Sequence, residues 1–206
     1  MSGCACGKEG STALRVFFTG VGGQGTLLAT RLVGEAALEA GLNVTMSEIH
    51  GMAQRGGVVE SAVVVGDAVS PTIPDGEADI LMAFEPLEAV RALPKCHART
   101  LVIAGTVPVV PFTVAIGQAE YPPLDELRAM LEKRAHRLVW LDPVEPARKA
   151  GSGRAANIVM VGVLAGLQCL SVSEAQWDEA LKRVIPARLL DLNRRAFRLG
   201  WEAVNG

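Results

Sequence analysis

A chain of 206 residues suits one medium domain with a single continuous core. Twenty basic residues against 22 acidic ones leave a formal net charge of −2, which removes the electrostatic argument for nucleic acid or an anionic membrane as partner. Half of the residues are hydrophobic, yet there are only five Phe, three Trp and one Tyr. The core must therefore be built from Ala, Val, Leu and Ile, as in a parallel sheet covered by helices on both faces.

Residues 1–12 are polar and glycine-rich and read as a disordered tail ahead of one domain over 13–206. They lack the charged start and apolar stretch of a secretory leader, and no run of about 18 apolar residues follows, so the expected location is the cytoplasm. The four cysteines stand at 4, 6, 96 and 169 without a CxxC pair, which gives no spacing for a structural zinc or an iron–sulfur cluster. Cys96 and Cys169 read as packing residues in a reducing compartment, and Cys4 and Cys6 fall in the tail.

The apolar run 14–18 predicts a strand and residues 26–40 a helix, ended by Gly41; residues 43–47 form a second strand, which completes a βαβ unit. The stretch 48–57 (Glu-Ile-His-Gly-Met-Ala-Gln-Arg-Gly-Gly) has no period and reads as a loop. Residues 58–65 form a strand closed by Gly66-Asp67, and the prolines of 69–76 make an exposed connection. Residues 79–84 are a short buried strand. Glu85-Pro86 opens a helix to about Leu93, and 100–104 is the next strand. Pro108 and Pro111 mark 106–117 as an edge strand or extended arm. An amphipathic helix over 124–134, a strand over 138–141 and a short helix over 143–150 follow. Residues 157–170 predict a helix buried on most sides, and helices over 177–184 and 189–204 finish the chain. Arg194, Arg195 and Arg198 read as a solvated face of the last helix. The fold class is α/β: a Rossmann-like three-layer sandwich with a mostly parallel sheet and a helical C-terminus.

Two stretches concentrate the chemistry. Gly20-Val21-Gly22-Gly23-Gln24-Gly25 lies between the first strand and Thr26, where backbone N–H groups and a helix N-terminus can face an anion. Gly20, Gly22 and Gly25 satisfy GxGxxG, and Glu48 stands near the position of a ribose-binding carboxylate, which points to a dinucleotide. The density of glycine fits equally a close approach by a partner's backbone or by an extended thioester cofactor, or simply close packing of helix on sheet. The second stretch holds Ser47, Glu48, His50, Gln54 and Arg55 before Gly56-Gly57, a polar cluster at the C-terminal end of a strand, where open α/β sheets bind ligands. Arg55 has room for a forked contact with phosphate or carboxylate. No nucleophile or metal-ligand spacing accompanies these residues, so they are not a self-sufficient catalytic set. Asn157 opens the apolar helix and reads first as its N-cap, second as a ligand contact.

Taken together, Phe18-Thr19-Gly20-Val21-Gly22-Gly23-Gln24-Gly25, Ser47-Glu48-Ile49-His50-Gly51-Met52-Ala53-Gln54-Arg55-Gly56-Gly57, Asn157-Ile158-Val159-Met160-Val161-Gly162 and Leu192-Asn193-Arg194-Arg195-Ala196-Phe197-Arg198-Leu199-Gly200 resemble the small, gamma-type subunit of 2-oxoacid:ferredoxin oxidoreductases. The His-Gly-Met-Ala-Gln-Arg-Gly-Gly wording is most similar to the indolepyruvate branch. The resemblance implies a non-autonomous subunit of an enzyme that oxidatively decarboxylates a 2-oxoacid to an acyl-coenzyme A and passes electrons to ferredoxin. It implies that thiamine diphosphate and iron–sulfur clusters sit in a large catalytic partner, that coenzyme A is a co-substrate, and that this chain binds no cofactor or metal alone. The implied active-site wall comprises Gly22, Gly23, Gln24, Gly25, Thr26, Ser47, Glu48, His50, Gln54, Arg55, Gly56, Gly57 and Asn157. An isolated subunit with an exposed docking face also invites self-association. The rival reading is a stand-alone or regulatory nucleotide-binding Rossmann module.

Overall fold

The computed structural model describes residues 13–50 and 57–205, the side chains of 50, 112 and 113 aside. The tail expected over 1–12 lies outside the described residues, as do Gln54, Arg55 and Gly56. Six strands form one sheet in the order β2-β3-β1-β4-β5-β6. They are β1 (Ala13–Val21), β2 (Val44–His50), β3 (Val58–Gly66), β4 (Ala78–Ala83), β5 (Cys96–Gly105) and β6 (Arg137–Leu141). β1, β4, β5 and β6 pair in parallel, whereas β3 is antiparallel to both β1 and β2. β1 and β2 are therefore parallel to each other and joined by α1 (Thr26–Glu39), but they are not neighbours. The expected βαβ unit is present with a foreign strand inserted in its middle.

Alternation along the strands feeds two cores. Val16, Phe18, Ile80, Met82, Leu101 and Ile103 point to the face covered by α1 and by the later helices α5 (Val144–Ala150), α6 (Ala156–Gly166), α7 (Glu174–Val184) and α8 (Ala187–Glu202). Phe17, Leu81, Ala83, Val102 and Ala104 point to the other face, beneath α2 (Pro86–Arg91) and α4 (Leu124–Arg134). The result is the expected three-layer sandwich. Because α1 and α2 leave β1 and β4 on opposite faces, the gap between those two strands is the topological switch point of the sheet.

Four expectations need correction. Residues 48–50 are not loop: Glu48, Ile49 and His50 continue β2 against Ser61, Glu60 and Val59, because β3 begins at Val58 and offers them a ladder. The 106–117 stretch forms no strand; an extended connection leads into a short helix α3 (Phe112–Ala115), started by the Pro111 carbonyl, which accepts N–H bonds from Val114 and Ala115. The arginines of α8 are not uniformly solvated. Arg194 makes a forked pair with Asp178 at 2.6 and 2.7 Å and holds its carboxyl below the usual range, and Arg195 donates to the Ala150 carbonyl at the end of α5. Cys169 is disulfide-bonded, whereas Cys96 is a buried free thiol that burial pushes up to about 11. Among the described residues no helix is long and apolar enough to cross a membrane.

Candidate functional site at the C-terminal edge of the sheet

The glycine turn emerges from β1 at the edge where the switch point opens. Gly23 and Gly25 take φ of 107° and 81°, a left-handed conformation that side chains resist. Gly25 is the N-cap of α1 and carries no capping side chain, so the first-turn amides of that helix have no side-chain acceptor from the cap. The space around the turn is uneven. Among the described residues, a Cβ on Gly23 would meet nothing within 4 Å, while one on Gly25 would strike the Asn157 carboxamide.

Two carboxamides fix this turn. Gln24 Oε1 accepts the Val21 N–H at 2.8 Å and its Nε2 donates to the Phe84 carbonyl at 2.9 Å, so the side chain closes the gap between β1 and β4. Gln24 is thus an internal brace and not a presented ligand group. Asn157 Nδ2 donates to the Gly25 carbonyl at 3.1 Å. The N-cap of α6 is Ala155, without a side-chain cap bond, so the capping role expected of Asn157 is replaced by a tie between two helices that are remote in sequence. Thr26 is buried with its hydroxyl unpaired among the described residues; the hydroxyl lies 3.1 Å from where a Gly20 Cβ would stand, on the inner side of the turn.

The second stretch reaches the same edge. Gly22 N–H donates to the Gly57 carbonyl at 2.8 Å, directly before β3, and His50 ends β2 opposite Val59. Gly57 thus lies against the glycine turn, whereas His50 is separated from β1 by β3, and Gln54, Arg55 and Gly56 between them lie outside the described residues. Ser47 and Glu48 stand apart from that cluster. Ser47 Oγ donates to the Pro71 carbonyl at 3.4 Å, and Glu48 is exposed on β2, separated from β1 by the whole of β3.

Two further features lie beyond what local sequence patterns mark. Glu85, 1% exposed at the end of β4, accepts the Glu88 N–H at 2.9 Å, the Val109 N–H at 3.2 Å and the Tyr121 hydroxyl. It pins the 106–121 connection over the switch point, and burial together with this carboxylate raises the Tyr121 pKa. Burial likewise raises the Glu88 pKa, against the pull of Arg91. Beside the turn, a cavity of about 290 Å³ is lined by Leu28, Arg154, Asn157, Ile185, Leu189 and Asn193, among others. These contacts are long-range in sequence, so only the unusual Glu85-Pro86 helix start could have marked one of them. Among the described residues no group of three or more His, Cys, Asp or Glu could hold a metal ion.

Comparison with known proteins gives this edge a context. Residues 15–203 match the family described as pyruvate ferredoxin/flavodoxin oxidoreductase. The chain is 43% identical over 188 residues to the indolepyruvate oxidoreductase subunit IorB of Methanothermobacter thermautotrophicus, spanning 91% of this chain and 96% of that protein. Among solved structures, the gamma subunit of a keto/oxoacid ferredoxin oxidoreductase from Geobacter sulfurreducens superposes with a TM-score of 0.67 at 23% identity, covering 93% of this chain and 98% of that one. A 2-oxoglutarate:ferredoxin oxidoreductase from Magnetococcus marinus gives a TM-score of 0.73 at 20% identity, with 95% of this chain matching 31% of the longer polypeptide. Those two likenesses carry the fold, and the family rests on the sequence: this chain belongs to the pyruvate ferredoxin/flavodoxin oxidoreductase family.

Proposed function

We propose that the chain is the small subunit of a 2-oxoacid:ferredoxin oxidoreductase of the indolepyruvate or arylpyruvate type, which converts a 2-oxoacid to an acyl-coenzyme A in the cytoplasm and passes electrons to ferredoxin. The observation that supports a site at this edge is the Gly22 to Gly57 bond, which brings the glycine turn against the residue that follows Arg55-Gly56 in the sequence. Thiamine diphosphate supplies the decarboxylation chemistry when bound and iron–sulfur clusters take the electrons; we place both on the larger catalytic partner.

This chain's part is to shape and polarise one wall of the reaction centre. Gly23 leaves space for close approach by a ligand or by partner backbone. The positive end of α1 favours an anion, and Arg55 adds a full charge for the substrate carboxylate or for coenzyme A. Asn157 and Gln24 act through the turn they hold and touch no reacting atom. In the assembled complex, Arg55→Ala is expected to lower turnover about tenfold or more while the subunits stay together. Unchanged kinetics would remove Arg55 from the site, and turnover by the isolated chain would overturn the division of labour.

A further inference from the structure

Among the described residues β2 is an edge strand of the sheet with one side unpaired. The Gly66 N–H donates to the Asn43 carbonyl at 2.8 Å, which sets the alternation of the ladder: Thr45, Ser47 and Ile49 direct their backbone to β3, and Val44, Met46 and Glu48 direct theirs outward. Among the described residues nothing pairs with that outer side. β2 carries no Pro, Lys or Arg to guard it, and it exposes apolar side chains on both faces, Met46 at 44% and Ile49 at 61%. The opposite edge, β6, is shorter and starts with Arg137, a charge of the kind that guards an edge.

The helix above this edge repeats the theme. Thr30 is bonded to Ser61 of β3 at 2.6 Å, and a Cβ on Gly34 would fall on the Met46 sulfur, so α1 lies along β3 and β2. Leu27, Arg31, Glu35 and Leu38 then flank the outer side at helical spacing. Leu38 is 50% exposed, and neither Arg31 nor Glu35 has an ion pair among the described residues.

We propose that a second copy of this chain pairs antiparallel along β2 about a two-fold axis through Ser47, extending the two sheets into one. In that register Met46 faces Glu48 of the copy and Thr45 faces Ile49, so every outward backbone group finds a partner and no Glu48 faces another. The same axis, carried up to α1 through the Thr30 to Ser61 and Gly34 to Met46 contacts, falls at Leu32, within about one residue of the midpoints of the Leu27/Leu38 and Arg31/Glu35 pairs. It sets Leu27 toward Leu38 and Arg31 toward Glu35 of the copy. Strand and helix thus demand one axis, which is what an isologous interface requires. The helices stand roughly 14 Å apart, three strand spacings, with both Met46 side chains between them and the two Arg31 to Glu35 pairs bridging above. β2 runs in opposite directions in the two copies, so the two glycine turns lie toward opposite ends of the joined sheet.

Sedimentation of the purified full chain should show a dimer. Arg31→Glu and Glu35→Arg should each weaken it about tenfold, since each turns two attractions into repulsions, and the double variant should restore it. Ser47→Cys should cross-link the dimer on oxidation, because two such residues face each other across the axis, while Thr45→Cys should not. A wild-type chain that stays monomeric at about 100 μM, roughly −5.5 kcal/mol of association or weaker, would overturn the proposal. So would a dimer indifferent to both charge reversals, or one cross-linked equally by the two cysteines.

Discussion

Gly23 and Gly25 share a left-handed backbone, yet they do different work, and the difference can be measured. Alanine at either position carries the conformational cost of about 1–2 kcal/mol. At Gly23 that is the whole cost among the described residues, none of which the added methyl meets. At Gly25 the methyl also drives into Asn157, which is 4% exposed and cannot swing away without losing its bond to the Gly25 carbonyl. Gly25→Ala should therefore lower stability in denaturant titrations by clearly more than Gly23→Ala. Asn157→Ala alone should cost about 1 kcal/mol for the lost hydrogen bond. In the double variant Gly25→Ala/Asn157→Ala the methyl gains room, so the two losses should sum to more than the measured total. Strict additivity would mean that the carboxamide does not hold the turn. A glycine pattern can announce such a turn, but it cannot name the remote residue that occupies the missing side chain's place; Asn157 looked like a cap because only its neighbours in sequence were visible.

At the scale of elements, α6 and α8 meet through two glycines in a reciprocal contact: a Cβ on Gly162 would land on the Phe197 carbonyl, and one on Gly200 on the Val159 carbonyl. Helix propensity alone favours alanine over glycine by about 1 kcal/mol, so an exposed Gly200→Ala would stabilise. Here the methyl must push two backbones apart, at a cost of about 1–3 kcal/mol, and the second effect wins. Thermal melting should show Gly200→Ala below wild type; a higher melting temperature would mean that the helices do not touch so closely. Most elements were legible because their apolar periods are strong, as with α4, whose bounds are those expected. β2 was cut short at Ser47 because Glu48 and His50 are polar and glycines follow, while the ladder from β3 that holds them is a non-local gift. The Pro-bearing 106–117 stretch was legible as irregular but not as a connection held by Glu85, a partner separated by 24 residues from Val109.

The order of strands in the whole molecule is what sequence reading could not supply, and it decides between the two functional readings. A dinucleotide site needs the acidic residue ending the second strand to sit beside the turn that follows the first. Here β3 stands between β1 and β2, so Glu48 is two strand spacings, roughly 10 Å, from β1 across the sheet. The switch-point gap where the cofactor would lie is braced by Gln24 from one side and crossed by the Glu85-held connection from the other. Gly22, whose N–H would face a pyrophosphate, already donates to Gly57. The GxGxxG spacing is satisfied while its surroundings are rebuilt for another use. The isolated chain should accordingly show no binding of NAD or NADP by calorimetry at ligand concentrations up to about 1 mM, a level at which even −4 kcal/mol would register. Gln24→Ala removes the brace but leaves β3 in place, so it too should fail to bind. Saturable binding by the wild-type chain would restore the nucleotide module as the better reading, and binding by the Gln24→Ala variant alone would show that a single side chain, not the strand order, shuts the crevice.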